Sequence, residues 1–169
     1  MQHNNVEKKA QFNELFNAHY DKVQRLCRGY FNGDEAVAAD AAQDAFIKIW
    51  ENLDSFRNES KVRTWMYRIA INTCLLYLRK QSTKKEKITN VFPPLAAELY
   101  TFEEEEKLQK MYTCINKLEE KSKIIILMVL EGISYEEIAE IVGATEDTLR
   151  VRIHRIKSTL TQCVQNGKL

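Results

Sequence analysis

The chain has little of what breaks regular structure. Of its 169 residues only two are proline and five glycine. The prolines, Pro93 and Pro94, are adjacent, so no other segment is barred by proline from running as a long helix. It also lacks a long apolar run. Ile124 to Leu130, inside "SKIIILMVLEG", is too short to cross a bilayer, so direct membrane insertion is not expected. "MQHNNVEKK" has no apolar centre, which argues against a secretory signal and for a cytoplasmic protein. The four cysteines, Cys27, Cys74, Cys114 and Cys163, are far apart and form no CxxC pair. They are expected to be reduced structural residues rather than disulfides or zinc ligands. His3, His19 and His154 are isolated, and no metal cluster, nucleophile with a base, or phosphate loop is visible. Enzyme chemistry, a metal and a cofactor are therefore not expected. Asp40 and Asp44 lie one helical turn apart, but a nuclease or recombinase would need further ligands beside them.

What is present is charge and helical period. Charged residues make up 29% and hydrophobic residues 44% of the chain, values of a globular protein, and the net charge of +1 hides where the charges lie. Phe12, Leu15, Phe16, His19, Tyr20, Val23, Leu26, Cys27 and Tyr30 recur at three and four, the period of a helix. "YFNGDEA" breaks that pattern, and Asp34 can cap a second helix carrying Val37, Ala41, Ala42, Ala45, Phe46, Ile49 and Trp50. A third runs through "VRTWMYRIAINTCLLYLRK". The stretch "QSTKKEKITNVFPPLAAELYTFEEEE" passes from basic to acidic without sustained period. It divides the chain into an N-terminal domain over 8–80, a flexible linker over 81–103 and a C-terminal domain over 104–167. The second domain is expected to hold helices near 104–117, 120–131, 134–142 and 145–165. No β-rich segment competes, so the fold class is all-α: two small helical domains, the second a helix-turn-helix.

The stretch "DTLRVRIHRIK" tests that assignment, because it alternates like a strand. A strand explains Leu149, Val151 and Ile153 but fails at Ile156 and Leu160. A helix gathers Leu149, Ile153, Ile156 and Leu160 on one arc and leaves only Val151 outside. Thr145 can cap it, with Glu146 and Asp147 in the first turn. Just before it, "ISYEEIAEIVGA" reads as a short helix capped by Ser134 and ended by Gly143, completing a helix-turn-helix pattern. Arg150, Val151, His154 and Arg155 then face away from the apolar arc, with Lys157 on its flank. Such a helix fits the DNA major groove: arginine forks onto guanine, valine meets a thymine methyl, lysine holds phosphate. The rival reading is a solvated amphipathic helix whose cations aid solubility.

A second basic field lies on the third helix. Nine Lys or Arg residues fall between Arg57 and Lys87 against only Glu59 and Glu86, with Phe56, Trp65, Tyr67 and Tyr77 interleaved. Cations along a backbone with aromatic faces suit single-stranded or opened DNA. Trp65, Ile69 and Leu75 equally fit a core. Asn72 can pair with a base edge or bond to water. The second helix carries an acidic-polar strip, Asp40, Gln43, Asp44 and Glu51, either a solvated face or a protein-binding one.

Taken in order, the motifs resemble an extracytoplasmic-function sigma factor of bacterial RNA polymerase, in the sigma-70 family, over nearly the whole chain. "DAAQDAFIKIWENLDSFRNES" resembles the family's polymerase-binding helix and loop, "TWMYRIAINTCLLYLRK" its −10 recognition helix, and "LEGISYEEIAEIVGATEDTLRVRIHRIKSTL" its −35-reading helix-turn-helix. The resemblance implies a dissociable subunit of core RNA polymerase that recognises −10 and −35 promoter elements and directs initiation. It places Asp40, Gln43 and Asp44 on the clamp helices of the β′ subunit, with the β flap as a further partner surface. Asn52, Phe56, Arg57 and Asn58 would shape a loop that captures a flipped base. Ile69, Asn72 and Thr73 would face the −10 element, and Arg63, Arg68 and Arg79 would hold phosphates. Arg150, Val151, His154 and Arg155 would read the −35 element, with Lys157 on the backbone. An anti-sigma factor that clamps the domains and covers both DNA surfaces is a further implied partner. Three positions depart from the family pattern: Leu76 stands where an acid often precedes Tyr77, and Val151 replaces a polar residue, which implies altered promoter preferences, while Glu119 follows Leu118 where proline is common, and there the helix start is expected to survive because acids suit a first turn. The alternative is a stand-alone helix-turn-helix regulator of duplex DNA that works without polymerase.

Overall fold

The computed structural model describes residues 2–57, 60–83 and 102–166. Among them run seven helices: α1 (Gln2–Tyr30), α2 (Glu35–Asn52), α3 (Val62–Thr83), α4 (Phe102–Asn116), α5 (Glu120–Leu130), α6 (Tyr135–Val142) and α7 (Glu146–Asn166), with a 3₁₀ turn over Leu53–Ser55 and no strand. The expected linker lies mostly outside the described residues. Within them no helix is long and apolar enough to cross a membrane.

Local chemistry sets most boundaries. At the end of α1, Asn32 and Gly33 take positive φ, and the Gly33 N–H reaches back to the Arg28 carbonyl at 2.9 Å. Asp34, in extended backbone, then accepts the Val37 N–H at 3.0 Å and starts α2. Ser134 starts α6 with a full capping box: its hydroxyl accepts the Glu137 N–H, while the Glu137 carboxylate accepts the Ser134 N–H. Gly143, at φ +68°, ends α6 in the left-handed conformation and sets the turn into α7. Thr145 accepts the Thr148 N–H, as its capping role requires.

Packing follows the apolar arcs. The small side chains of Ala38, Ala41, Ala42 and Ala45 are fully buried and let α2 lie close to its neighbours, with Phe46 and Ile49 filling the space beyond. Val23, Leu26, Tyr30, Met66, Tyr67 and Ala70 join them. In the C-terminal half Ile115, Ile125, Met128, Ile138, Leu149, Ile153 and Ile156 form the interior. Each such aliphatic contributes about 1.5–3 kcal/mol on burial. The two halves do not stay apart. Their buried residues form one continuous cluster, and a Cβ placed on Gly29 of α1 would lie 2.1 Å from a Leu127 methyl carbon of α5. Asn116 donates to the Gly29 carbonyl at 3.0 Å, Gln109 to the Asn32 carbonyl at 3.1 Å, and Arg25 to Glu131 at 3.0 Å.

The cysteines split into two kinds. Cys27 and Cys74 are buried free thiols, as expected, with their sulfurs 3.3 Å apart between α1 and α3. The hydrogen bond with Cys27, and burial after it, hold the Cys74 thiol far above its ordinary pKa. Cys114 and Cys163 correct the expectation of reduced cysteine: they form a disulfide between α4 and α7. Their sequence separation of 49 gives no hint of it, but the packing of α4 on α7 brings the Cα atoms to 5.9 Å, inside bonding range.

Candidate functional site

Three surfaces hold the candidate residues. The first is the outer face of α7. Leu149, Ile153 and Ile156 are buried beneath it, and Arg150, Val151, His154, Arg155 and Lys157 are all exposed, Val151 at 53%. The helix-turn-helix thus presents one continuous basic face to solvent. Arg150 is not unopposed on this face. It pairs with Glu146 one turn earlier and lies over the Tyr135 ring at 5.4 Å. An exposed i,i+4 pair is weak, about 0.3–0.5 kcal/mol, so it orients the guanidinium without holding it back.

The second surface is α3 with the loop before it. Asn72 is exposed, as are Asn52 and Arg57, and Phe56 packs on Trp65 with ring centroids 5.1 Å apart. That contact answers the open question over Trp65: it supports the loop through Phe56 and remains partly exposed. Ile69 is half-buried and Arg79 exposed. Asn58 lies outside the described residues. Thr73 does not reach this surface. It is 1% exposed, donates to the Ile69 carbonyl at 2.8 Å and accepts from Lys48 at 3.1 Å. The reason is angular: one residue along a helix turns about 100°, which carries Thr73 from Asn72's open face onto α2.

Three cations at and just before the start of α3 are partly exposed but paired with acids of the C-terminal half. Arg63 forks onto Glu137, Nε to Oε1 at 2.8 Å and Nη2 to Oε2 at 2.5 Å. Arg68 donates to the Glu140 carbonyl at 2.8 Å and lies 3.7 Å from its carboxylate. Lys61 reaches Glu136 at 3.4 Å. Burial alone would raise the Glu137 carboxyl, but hydrogen bonds from Arg63 and Ser134 hold it below the ordinary carboxylate range. Glu137 of α6 is thus turned inward onto α3, while Glu136 and Glu140 beside it keep much of their side chains in solvent.

The third surface lies on α1 and α2. Asp40 and Gln43 are exposed, while Asp44 is half-buried and accepts the Tyr77 hydroxyl at 2.7 Å. Burial first, and Asp44 second, push that phenol up to about 12. Beside them opens a groove of about 470 Å³ lined by Phe12, Phe16, Phe46, Ile47 and Trp50, with Asp40, Gln43 and Glu51 on its rim. Ile47 is 49% exposed. Rings meet edge to face along its floor, Phe16 on Phe46 at 4.9 Å and Phe12 on Trp50 at 5.2 Å. The aromatic residues here read from sequence as parts of the apolar stripes of the first two helices. The available signal was spacing by four on two consecutive helices, Phe12, Phe16, Tyr20 and Phe46, Trp50. Among the described residues no three His, Cys, Asp or Glu side chains gather as a bound metal would need.

Comparison with known proteins accounts for both halves. Residues 15–84 match the family described as Sigma-70 region 2, and residues 108–160 match Sigma-70, region 4. The chain is 33% identical to the ECF RNA polymerase sigma-E factor of Haemophilus influenzae over 94% of this chain and 89% of that one. It is 35% identical to the sigma-E factor of Escherichia coli over 91% and 86%. Two solved structures share the fold. The sigma factor RpoE of Bartonella quintana, in complex with the anti-sigma factor NepR, superposes with a TM-score of 0.72 at 22% identity, over 94% of this chain and 99% of that one. CnrH, in complex with the cytosolic domain of CnrY, superposes at 0.71 and 21%, over 93% and 89%. A lone helix-turn-helix regulator would account for α6 and α7 only, whereas both halves match here in the right order. The chain belongs to the extracytoplasmic-function sigma factors of the sigma-70 family, and its work is to direct the initiation of transcription.

Proposed function

We propose that the chain acts in the cytoplasm as a subunit that joins core RNA polymerase and carries it to promoters with a −10 and a −35 element. The observation that carries this reading is the outer face of α7: Arg150, Val151, His154 and Arg155 exposed above buried Leu149, Ile153 and Ile156, on a helix set by the Gly143 turn. In a helix-turn-helix the N-terminal part of the second helix enters the major groove, and those four residues occupy that part. Lys157 lies one turn further on and holds the backbone. Opened −10 DNA lies along α3, with Asn72 toward base edges and half-buried Ile69 beside it. Phe56, Arg57, Asn52 and Asn58 form the loop that takes an unstacked base. Arg63, Arg68 and Arg79 hold phosphates. Thr73 is left out of this set, because its buried hydroxyl serves Lys48 and Ile69.

Polymerase engages the third surface. Asp40 and Gln43 offer polar contacts to the β′ clamp helices, and the groove floored by Phe16, Phe46 and Trp50 takes an apolar side chain from them. Asp44 shares its carboxylate with Tyr77, which ties the polymerase face to α3. Contact with the β flap falls to the C-terminal unit. The working units are 8–80 and 104–167, joined through 81–103. The complex of RpoE with the anti-sigma factor NepR supports an anti-sigma partner for this chain as well.

The deciding experiment is transcription in vitro with purified core polymerase on a library of randomised promoters. The expected product is a set of defined start sites sharing two spaced elements. Transcripts that start no differently with and without the chain would end this reading, and stable binding to duplex DNA alone would then favour the stand-alone regulator.

A further inference from the structure

One large apolar side chain of α3 faces solvent. Trp65, Ile69, Asn72 and Leu76 follow one another at intervals of four, three and four, so they form a single stripe along the helix. Spacing of the same kind on α7 sends Leu149, Ile153 and Ile156 inward. On α3 the stripe turns outward toward its C-terminal end. Asn72 is exposed and Leu76 is 45% exposed, although Leu75, Tyr77 and Leu78 around it pack against the core. At about 100° per residue, Arg68, Ile69, Leu76 and Arg79 all lie within about 60° of Asn72. An aliphatic group thus stands in the middle of the polar and cationic face assigned above to opened −10 DNA. We propose that Leu76 is a specificity-determining residue of that face, whose methyl groups pack on the 5-methyl of a thymine close to the base met by Asn72. The inference rests on the promoter-binding reading above and names what one more position of that site reads.

Chemistry narrows what such a side chain can meet. Leucine carries no side-chain donor or acceptor, so it neither holds a phosphate nor pairs with a base edge. The 5-methyl of thymine is the apolar group that a base edge presents, and contact with it separates thymine from the other bases. A lone exposed leucine is ordinary on a protein surface. What sets Leu76 apart is its company. Arg79, exposed less than one turn further on, brings a strand backbone close, and Asn72 one turn earlier takes a base edge. Half-buried Ile69 continues the apolar strip on the far side of Asn72. Register follows from the rise of the helix. Four residues advance about 6 Å, roughly two stacked-base steps of 3.4 Å. The thymine met by Leu76 should therefore lie within two positions of the base met by Asn72. Burial of one methyl group is worth about four-fold in affinity, so the preference is modest and confined to one position.

The test uses the full chain with purified core polymerase and the library of randomised promoters. Start sites are collected for the parent, Leu76→Ala, Leu76→Met and Asn72→Ala. The promoter that the parent uses most is then rebuilt with deoxyuridine in place of single thymines on either strand. That exchange removes the methyl and leaves the pairing edge intact. The parent should prefer thymine to deoxyuridine about four-fold at one position, within two positions of the one that Asn72→Ala relaxes. Leu76→Ala should be indifferent to the exchange there, and Leu76→Met should restore part of the preference. Because Leu76 is half exposed, neither change should move the urea midpoint, and preferences in the −35 element should stay as in the parent. An equal deoxyuridine penalty in the parent and in Leu76→Ala would overturn the proposal. So would the absence of any thymine whose penalty Leu76→Ala abolishes. A loss in Leu76→Ala that is uniform over all promoters, with weaker retention on core polymerase, would make Leu76 a polymerase contact instead. In each of these cases the parent still yields defined start sites, so the promoter reading stands and Leu76 alone loses its role. If the parent yields none, both fall.

Discussion

The outer faces of α3 and α7 look alike in sequence and end differently. Each is a helix with basic residues set among apolar ones, and each reads as a nucleic-acid surface. On α7 the cations stay exposed, and the pairing at Arg150 comes from Glu146 on its own helix. On α3, Arg63 is engaged by a carboxylate 74 positions away, with Lys61 and Arg68 paired beside it. Charge density along a helix is therefore a statement about what the helix can bind, not about what it is bound to. Which acids reach it is decided by tertiary packing, here by Gly29 letting α5 approach α1 and so bringing α6 over α3.

The largest difference between the halves is covalent. The C-terminal half is stapled by Cys114–Cys163, while the N-terminal half keeps Cys27 and Cys74 as thiols. Closing a loop of sequence separation 49 restricts the unfolded chain by about 4 kcal/mol on chain-entropy grounds. Reductant should therefore lower the urea midpoint of the parent chain. A variant with both Cys114 and Cys163 changed to alanine should start low and ignore reductant, and Cys27→Ala with Cys74→Ala should respond as the parent does. An equal response to reductant in the Cys114/Cys163 variant would remove the covalent contrast.

Arginine-to-alanine changes sharpen the same contrast on the two faces. Arg150→Ala should cost about 1–3 kcal/mol of discrimination at one base position of the −35 element, read from promoter-library enrichment. Uniform weakening on all sequences would make Arg150 a phosphate contact instead. Its effect on folding should stay within about 0.5 kcal/mol, because its partner Glu146 is exposed. Arg63→Ala should do the reverse. It leaves buried Glu137 without its charged donor, and a stability loss of about 1–2 kcal/mol follows, discounted because the Arg63 side chain is itself 42% exposed. Matching stability losses at 63 and 150 would erase the distinction drawn between the faces.

Much of this was legible before any coordinates. The positions of all seven helices follow from apolar spacing, and their ends from Asp34, Ser134, Gly143 and Thr145, because capping acts over three or four residues and is written locally. The exposed set on α7 was legible for the same reason. Thr73 was misplaced because its role was carried over by resemblance, while its angle on α3 turns it toward Lys48. The disulfide and the Arg63–Glu137 fork were illegible, since each joins residues that only the folded path brings together. The aromatic groove was half legible: the rings were seen, but the gap above them depends on how α1 and α2 pack, which spacing along one helix does not set.

The smallest expected effect is one of pH, and it separates the interior of the N-terminal half from its contact with α6. His19 sits against Tyr67, and burial, followed by the nearby charges of Arg63 and Lys22, holds its pKa below the ordinary 6.5, with Glu137 opposing. An imidazole with a lowered folded pKa favours the native state when neutral. Its contribution is complete above pH 6.5 and is lost as pH falls through the folded value. Glu137, also net lowered, keeps its contribution above its ordinary 4.5 and loses it only as pH falls through its own depressed value. Stability measured by urea unfolding should thus fall in two stages on acidification, His19 first. His19→Gln should flatten the stage that begins near 6.5 and leave the second, while Glu137→Gln should flatten the second. Because Arg63 and Glu137 both act on His19, opening the halves should also move the first stage. If Glu137→Gln leaves the His19 titration, followed by NMR, where it was, then α6 does not sit over α3 in solution, and the difference between the two basic faces disappears with it.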